Sequence, residues 1–319
     1  MKEINIMEIG GFKVGHAQDY DAMTGCTVVL CDKVAPAGVD VRGGGPASRE
    51  TPLLNPVADA KGIHAVLLSG GSAFGLDAAG GVMKFLEERN IGFDVGVTKV
   101  PLVCQSCLFD LGIGKVHVRP QQQMGYEACQ NASYYPMAEG NVGAGTGCTV
   151  GKINGMNGCM KSGIGSFAVQ VGHLKVGAIV AVNALGDVYD LDSGKMLAGF
   201  RDENNKMCSS EEIMMSRVAA DNLFTGNTTI GIILTNAKMD KTLLNKVASM
   251  AHNGYARTIR PIHTTADGDS IYALSVGQEL EGDVNVIGTL GAYVMGKAVN
   301  RAVLSADGAC GYPCAKDFF

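Results

Sequence analysis

Gly226-Asn227-Thr228-Thr229 runs directly into the apolar segment Ile230-Gly231-Ile232-Ile233-Leu234, so a threonine hydroxyl sits at a strand edge with an asparagine carbonyl beside it. That pairing is suited to cutting its own chain. If the Thr228 hydroxyl attacked the Asn227 carbonyl, the peptide would become an ester, and hydrolysis would leave Thr228 with a free α-amine next to its own hydroxyl. An α-amine titrates near pH ~8 and can take the hydroxyl's proton at neutral pH. The same four residues also read as an ordinary polar turn before a strand.

Self-cleavage needs partners, and the chain offers candidates. Asp267 and Asp269 flank Gly268 just before the strand Ile271–Val276, where two carboxylates could orient an amine and a hydroxyl; they read equally as a turn or a weak metal site. Asn183 ends the apolar run Val176–Val182, and a polar amide at the end of a buried strand needs a partner or a job, such as donating to an oxyanion. Lys152 and Lys161 follow a glycine-rich stretch; a lysine flanked by Gly and apolar strand residues points into a pocket, although a lone lysine is more often a solvated surface group.

Other stretches invite readings that fit less well. Glu139–Lys152 resembles a nucleotide loop, but a dinucleotide fingerprint needs Gly where Cys148 stands, and a P-loop needs Gly at Thr146 and Ser or Thr at Ile153. Both templates fail, leaving an amide-rich loop that carries Lys152. Arg42-Gly43-Gly44-Gly45-Pro46 could line a concave site with backbone amides and hold a carboxylate on Arg42, or form a simple turn. Ser69 or Ser72 could be a nucleophile, but no His stands at a recognisable spacing, so Ser72 reads better as a helix N-cap. Cys104 with Cys107, and Cys310 with Cys314, could in principle hold zinc or do redox chemistry; incidental buried thiols fit the spacing better, and no metal is expected.

The elements that would place these residues are strands alternating with turns over residues 1 to 50, a strand at His64–Leu68, and a helix through Phe74, Ala78, Val82, Phe85 and Leu86. Residues 200 to 226 read as an exposed linker with a short helical piece near Glu211 to Ala220, so that the Asn227-Thr228 join can be cut without unmaking the core. Asp240 is expected to cap a helix with Leu243, Leu244, Val247, Met250, Ala251 and Ala256 on one face; His252 close to it reads as structural. A last helix is expected over Thr289 to Leu304.

Composition sets the bounds. The chain has 319 residues, 46% of them hydrophobic, ample for a sizeable core. A net charge of −5 argues against nucleic acid as a partner. No segment reaches the roughly eighteen uncharged apolar residues of a membrane span, and the N-terminus lacks a secretory pattern. Ten Cys without such a signal are expected to be reduced thiols, and the chain is expected in the cytoplasm. Forty-four Gly without low-complexity runs imply tight turns and close backbone approaches.

Taken together, Asn227-Thr228-Thr229, Asp267-Gly268-Asp269, Glu139–Gly147, Thr24-Gly25-Cys26-Thr27-Val28 and Ser69–Asp77 resemble the P1 (S58, DmpA/BapA-like) peptidase family, nearly end to end. The resemblance implies an α/β fold, a four-layer αββα sandwich of the DmpA/ornithine acetyltransferase-like type. It also implies an inactive single-domain precursor that cuts itself into residues 1-227 and 228-319, and a tetramer of cleaved protomers. Implied activities are hydrolysis of short peptides, amino acid amides and esters, including D- and β-amino acid substrates, or of 6-aminohexanoate oligomers, without a cofactor. By position, Thr228 is similar to the nucleophile, Asn183 to the oxyanion amide, and Asp267, Asp269 and Lys152 to the acidic pair and lysine of the nylon-oligomer branch. Phe109, Gly143 and Gly145 fall at implied substrate-binding positions. One departure stands out: the aminopeptidases place a Tyr after an acidic residue in the segment corresponding to Val100–Leu111, where this chain has Cys104, Cys107 and Phe109. A non-catalytic binding protein on the same fold and a Gly-loop nucleotide-dependent enzyme are the alternatives.

Overall fold

Runs of β-branched residues with turn residues between them form the strands. The structure, a computed structural model, describes residues 1–217 and 226–319. In chain order the main strands are β1 (Lys2–Ile4), β2 (Phe12–Asp19), β3 (Thr24–Ala35), β4 (Ala37–Val41), β5 (Ala47–Arg49), β6 (Ile63–Ser69), β7 (Val103–Cys107), β8 (Ile164–Val171), β9 (Leu174–Asn183), β10 (Thr228–Lys238) and β11 (Ser270–Glu281). The helices are α1 (Ala78–Glu87), α2 (Gln122–Gln130), α3 (Ser210–Ser216), α4 (Lys241–Thr258) and α5 (Val284–Leu304). Strands β1-β8-β9-β10-β11-β4 make one sheet and β2-β3-β6-β7-β5 the other.

The two-residue alternation of each strand sorts side chains between layers. Ile230, Ile232 and Leu234 of β10 point into a core between the sheets, with Phe12, Val29, Leu68, Ile179 and Tyr272. Ile233 points the other way, into a core with Val247, Tyr255, Val294 and Val299 of α4 and α5. A third core joins Val28 and Leu67 to Ala79, Val82 and Ala128 of α1 and α2. The layers are therefore helices, sheet, sheet, helices, the expected αββα sandwich. Each fully buried Ile or Leu contributes about 1.5–3 kcal/mol relative to an exposed one, which ties the layers together without any disulfide. All ten cysteines are free, and burial pushes the Cys104 thiol up to about 12, which fits an inert core thiol rather than a redox motif.

Several expectations need correction. Ser72 caps nothing: it lies inside a short 3-10 turn, Ser72–Asp77, which Gly71 precedes, and the regular helix α1 starts only at Ala78. Phe74 is exposed, outside the core. On α4, capped by Asp240 as expected, the buried face runs through Leu244, Val247, Ala248, Ala251, His252 and Tyr255, while Leu243 and Ala256 lie off it. The last helix starts at Val284, five residues earlier than expected, because Asp283 caps it.

Residues 200 to 210 are not a loose linker. The buried Asp187 carboxylate accepts from the Phe200 amide at 2.8 Å and from the Ser210 amide and hydroxyl at 2.6 Å each. Of the helical piece expected near Glu211 to Ala220, α3 covers residues up to Ser216, and residues 218–225 of the expected linker lie outside the described residues.

Candidate active site

The register of the six-stranded sheet assembles the site. Antiparallel pairing of β9 with β10 sets Asn183 opposite Thr228, and parallel pairing of β10 with β11 continues below the strands to set Asn227 beside Asp267. Thr228 shares the parity of Ile230 and Ile232, so its side chain lies on the face between the sheets. It is buried, and its hydroxyl donates to the carbonyl of Asn227, the peptide bond that precedes it. The Gly268 amide donates to that same carbonyl at 3.1 Å. A hydroxyl and a backbone amide thus converge on one carbonyl, that of the peptide bond before Thr228.

Asn183 is fixed by its neighbours. Its Oδ1 accepts from the Thr149 amide at 3.0 Å and from Lys152 Nζ at 2.8 Å, two groups that can only donate, so the amide orientation is determined by the network. Its Nδ2 donates to the Phe109 carbonyl at 2.7 Å and carries a second hydrogen that can donate to another acceptor. Lys152 is buried, as the pocket reading anticipated, and Nζ also donates to the Asn183 carbonyl at 3.2 Å. Burial lowers its pKa to about 8, with the Asp267 charge among the smaller opposing effects.

The two aspartates have different environments. Asp267 Oδ2 accepts from the Thr264 amide at 2.8 Å and hydroxyl at 2.6 Å, while its Oδ1 is buried with no partner. Burial first, and the neighbouring Asp269 charge second, raise the Asp267 pKa to about 6. Asp269 is an anchor: Oδ1 accepts from the Thr229 amide at 2.7 Å, and Oδ2 from the His263 amide at 3.1 Å and Nδ1 at 2.9 Å. It therefore holds the residue after Thr228, not Thr228 itself.

The triple glycine supports this acidic loop from beneath instead of lining a ligand site. Gly43, Gly44 and Gly45 amides donate to the carbonyls of Asp269, Thr264 and Asp267 at 3.2, 3.2 and 2.8 Å, while Arg42 reaches Asp40 and Ser249. A Cβ on Gly43 would stand 2.3 Å from the Asp269 nitrogen. Gly43→Ala is expected to push the loop away, costing about 1–3 kcal/mol in a denaturant titration and slowing any reaction at Thr228. Unchanged stability and rate would show that the loop does not depend on this approach.

A cavity of about 260 Å³ opens beside the site, walled by Phe109, Ile113, Met156, Thr149, Lys152 and Gly226. Phe109, one of the residues expected to contact substrate, stands in this cavity wall. Gly143 and Gly145 do not line it: they are buried against the five-stranded sheet, where the Gly143 amide donates to Gln18 Oε1 at 2.8 Å, whereas the nearby Gly147 does line the cavity. Lys161 is buried as well, with Nζ on the carbonyls of Thr146 and Cys148 at 3.0 and 2.7 Å, so it secures the glycine-rich segment. A larger open groove of about 770 Å³, around Lys33, Lys175 and Asn236, lies toward the other end of β10 and contains none of these groups. Among the described residues, no set of three or more His, Cys, Asp or Glu converges as a metal site.

Three functional candidates escaped the sequence reading. The Gly268 amide is invisible because any residue supplies one; only the pairing of Asn227 with Asp267 aims it. His263 is brought to Asp269 by a backbone with φ +61°, a local conformation without a sequence signature. Asp110, directly after Phe109, is a buried carboxyl in the cavity wall held by the Thr24 hydroxyl at 2.6 Å and the Gly71 amide at 2.7 Å; a lone Asp after a buried strand was the available signal.

Comparison with known proteins gives a consistent picture. The profile of Peptidase family S58 matches residues 5–313. An uncharacterized aminopeptidase of Mycobacterium leprae is 37% identical over 97% of this chain and 92% of its own length. A 6-aminohexanoate-oligomer endohydrolase of a Kocuria species is 28% identical over 92% of this chain and 84% of its own. Among solved structures, the L-aminopeptidase D-Ala-esterase/amidase of Ochrobactrum anthropi, described as a variant of the Ntn hydrolase fold, superposes with a TM-score of 0.73 at 17% identity, over 97% of this chain and 88% of the other. A β-aminopeptidase of a Burkholderia species gives 0.66 at 18% identity, over 95% and 86%.

Proposed function

This chain belongs to peptidase family S58 and is a hydrolase of peptide or amide bonds; on that premise we propose that it is a self-processing amidohydrolase whose nucleophile is Thr228. The observation that carries this reading is the Thr228 hydroxyl resting on the Asn227 carbonyl, which the Gly268 amide polarises. Attack by Oγ forms a tetrahedral centre, the C–N bond breaks, the α-amine leaves with a proton, and water hydrolyses the resulting ester. The products are residues 1-227, ending in a carboxylate, and residues 228-319, beginning with a free threonine.

In the cut protein the Thr228 α-amine takes the hydroxyl proton as Oγ attacks a substrate carbonyl, then returns it to the leaving amine. Asn183 Nδ2 and backbone amides donate to the oxyanion. Asp267 accepts from the new α-amine, a role that its unpartnered buried Oδ1 supports, and Asp269 fixes the strand through Thr229. The Lys152 cation, close to Asn183, stabilises negative charge developing there. Substrates are short peptides, amino acid amides or related oligoamides that fit the apolar cavity at Phe109. The free cysteines and the negative net charge support a cytoplasmic protein without nucleic-acid partners, and the processed protomers assemble as a tetramer. No described helix is long and apolar enough to cross a membrane.

Self-cleavage proceeds before any α-amine exists, so its pH profile reports the buried groups. Its rate in freshly synthesised chain, followed by mass, is expected to fall as pH passes beyond about 8, where Lys152 loses its charge. A rate that stays flat from pH ~7 to ~9 contradicts this role of Lys152. Release of product from a panel of α-, β- and D-aminoacyl amides by the purified protein tests the amidohydrolase reading itself; a cut protein inert toward every member rejects it.

A further inference from the structure

We propose that the space held by Gly226 and Asn227 in the uncut chain becomes the acyl-side slot of the enzyme, and that the Phe109 ring restricts it to acyl groups unbranched at the second position from the scissile bond. The inference rests on Thr228 serving both reactions. One oxygen atom, Thr228 Oγ, bonds the acyl carbon in each case. In self-cleavage that acyl group is Gly226-Asn227; a substrate acyl group bonded to the same oxygen occupies the same volume.

The shape of that volume is set by the Phe109 ring. A Cβ on Gly226 would lie 2.2 Å from Cγ of Phe109 and 2.4 and 2.7 Å from its two Cδ atoms. These atoms are at the root of the ring, not at the free end of a flexible side chain, so the ring must move as a body to admit even a methyl group. The backbone that carries the ring is fixed. The Phe109 carbonyl is pinned by Asn183 Nδ2 at 2.7 Å, and the next residue, Asp110, is clamped at 2.6 and 2.7 Å by Thr24 and Gly71. Gly226 also forms part of the wall of the 260 Å³ cavity, with Ile113 and Met156 beyond it. Its departure joins that apolar cavity to the nucleophile, giving room for an acyl chain longer than one residue, provided that the chain passes Phe109 as a methylene. The selected class is therefore peptides and amides whose acyl part continues past the first residue through glycine or another unbranched unit.

The test uses protein already shown by intact mass to be cut; an uncut chain overturns the self-cleavage reading instead, so the two failures are separable. Acetyl-Gly-Asn and acetyl-Ala-Asn p-nitroanilides are compared by kcat/KM, with Asn p-nitroanilide as the single-residue control. The glycyl substrate is expected to be favoured over the alanyl one by about tenfold or more, the range for one added methyl group in a tight pocket. Phe109→Ala is expected to shrink that ratio to about threefold or less. Should Phe109→Ala not fold, inhibition of the cut wild-type protein decides: acetyl-Gly-Asn is expected to compete with substrate and acetyl-Ala-Asn is not. Cut protein that treats the two anilides alike, hydrolyses neither, or accepts only the single-residue anilide overturns the proposal.

Discussion

A Thr228→Ala chain is expected to remain whole at 33.2 kDa and to lose amide hydrolysis by about a thousand-fold or more, while folding normally. The hydroxyl's hydrogen bond in the uncut chain is to its own preceding carbonyl, so removing it takes no support from the sandwich. The methyl of alanine still fills the Cβ position between the sheets. Both reactions share the missing oxygen, so both stop together. Thr228→Ser restores the oxygen and is expected to regain cleavage and hydrolysis together. Mass spectrometry and turnover of the same preparations check this; a Thr228→Ala chain that still splits, or that stays whole yet hydrolyses amides, removes Thr228 from the mechanism.

Lys152→Met is expected to move stability and activity in opposite directions. In the folded chain burial lowers this lysine's pKa to about 8, against 10.5 for the unperturbed group. Below pH 8 the lysine is charged in both folded and unfolded chains, and the folded state carries the desolvation cost, roughly 3 kcal/mol at 1.36 kcal/mol per unit. Between 8 and 10.5 the unfolded chain binds more protons, so wild-type stability gains with pH across that window and the cost is relieved above it. Methionine removes the charge at every pH. It forfeits the two hydrogen bonds to Asn183, about 0.5–1.5 kcal/mol each, but Oδ1 keeps the Thr149 amide. The net gain is about 1 kcal/mol, or a few degrees in Tm, at pH 7, and it vanishes by pH ~10. Hydrolysis is expected to fall about a hundred-fold as the cation near the oxyanion is lost. Thermal melts at the two pH values with parallel assays check both directions, and a variant both less stable and fully active contradicts the assignment.

Much of this was legible in the chain because it depended on period and parity. Uninterrupted apolar runs such as Val176–Val182 and Ile230–Leu234 read as buried strands because both faces of the six-stranded sheet are covered. Once β9 and β10 pair, Asn183 and Thr228 have to meet. Lys152 read as a pocket lysine because its neighbours offer no polar surface. The rest depended on backbone atoms and on distant partners. The amides of Gly43, Gly44 and Gly45 brace the acidic loop from more than two hundred residues away, which no local pattern encodes. Residues 200 to 210 are polar enough to read as linker, yet one buried carboxylate, Asp187, gathers them in. Ser72 had the side chain of a cap, but the turn after Gly71 took a left-handed path and put the helix start five residues later.

On the proposed mechanism Thr228 becomes a nucleophile with its own base by cutting the bond before it. Intact mass of the purified wild-type chain, taken at once and after long incubation near pH 7.5, tests it most directly. Two fragments of about 24 and about 10 kDa, divided after Asn227 and absent from Thr228→Ala, are the expected result, scaling the 33.2 kDa mass by length. A single wild-type species that stays at 33.2 kDa throughout contradicts the account.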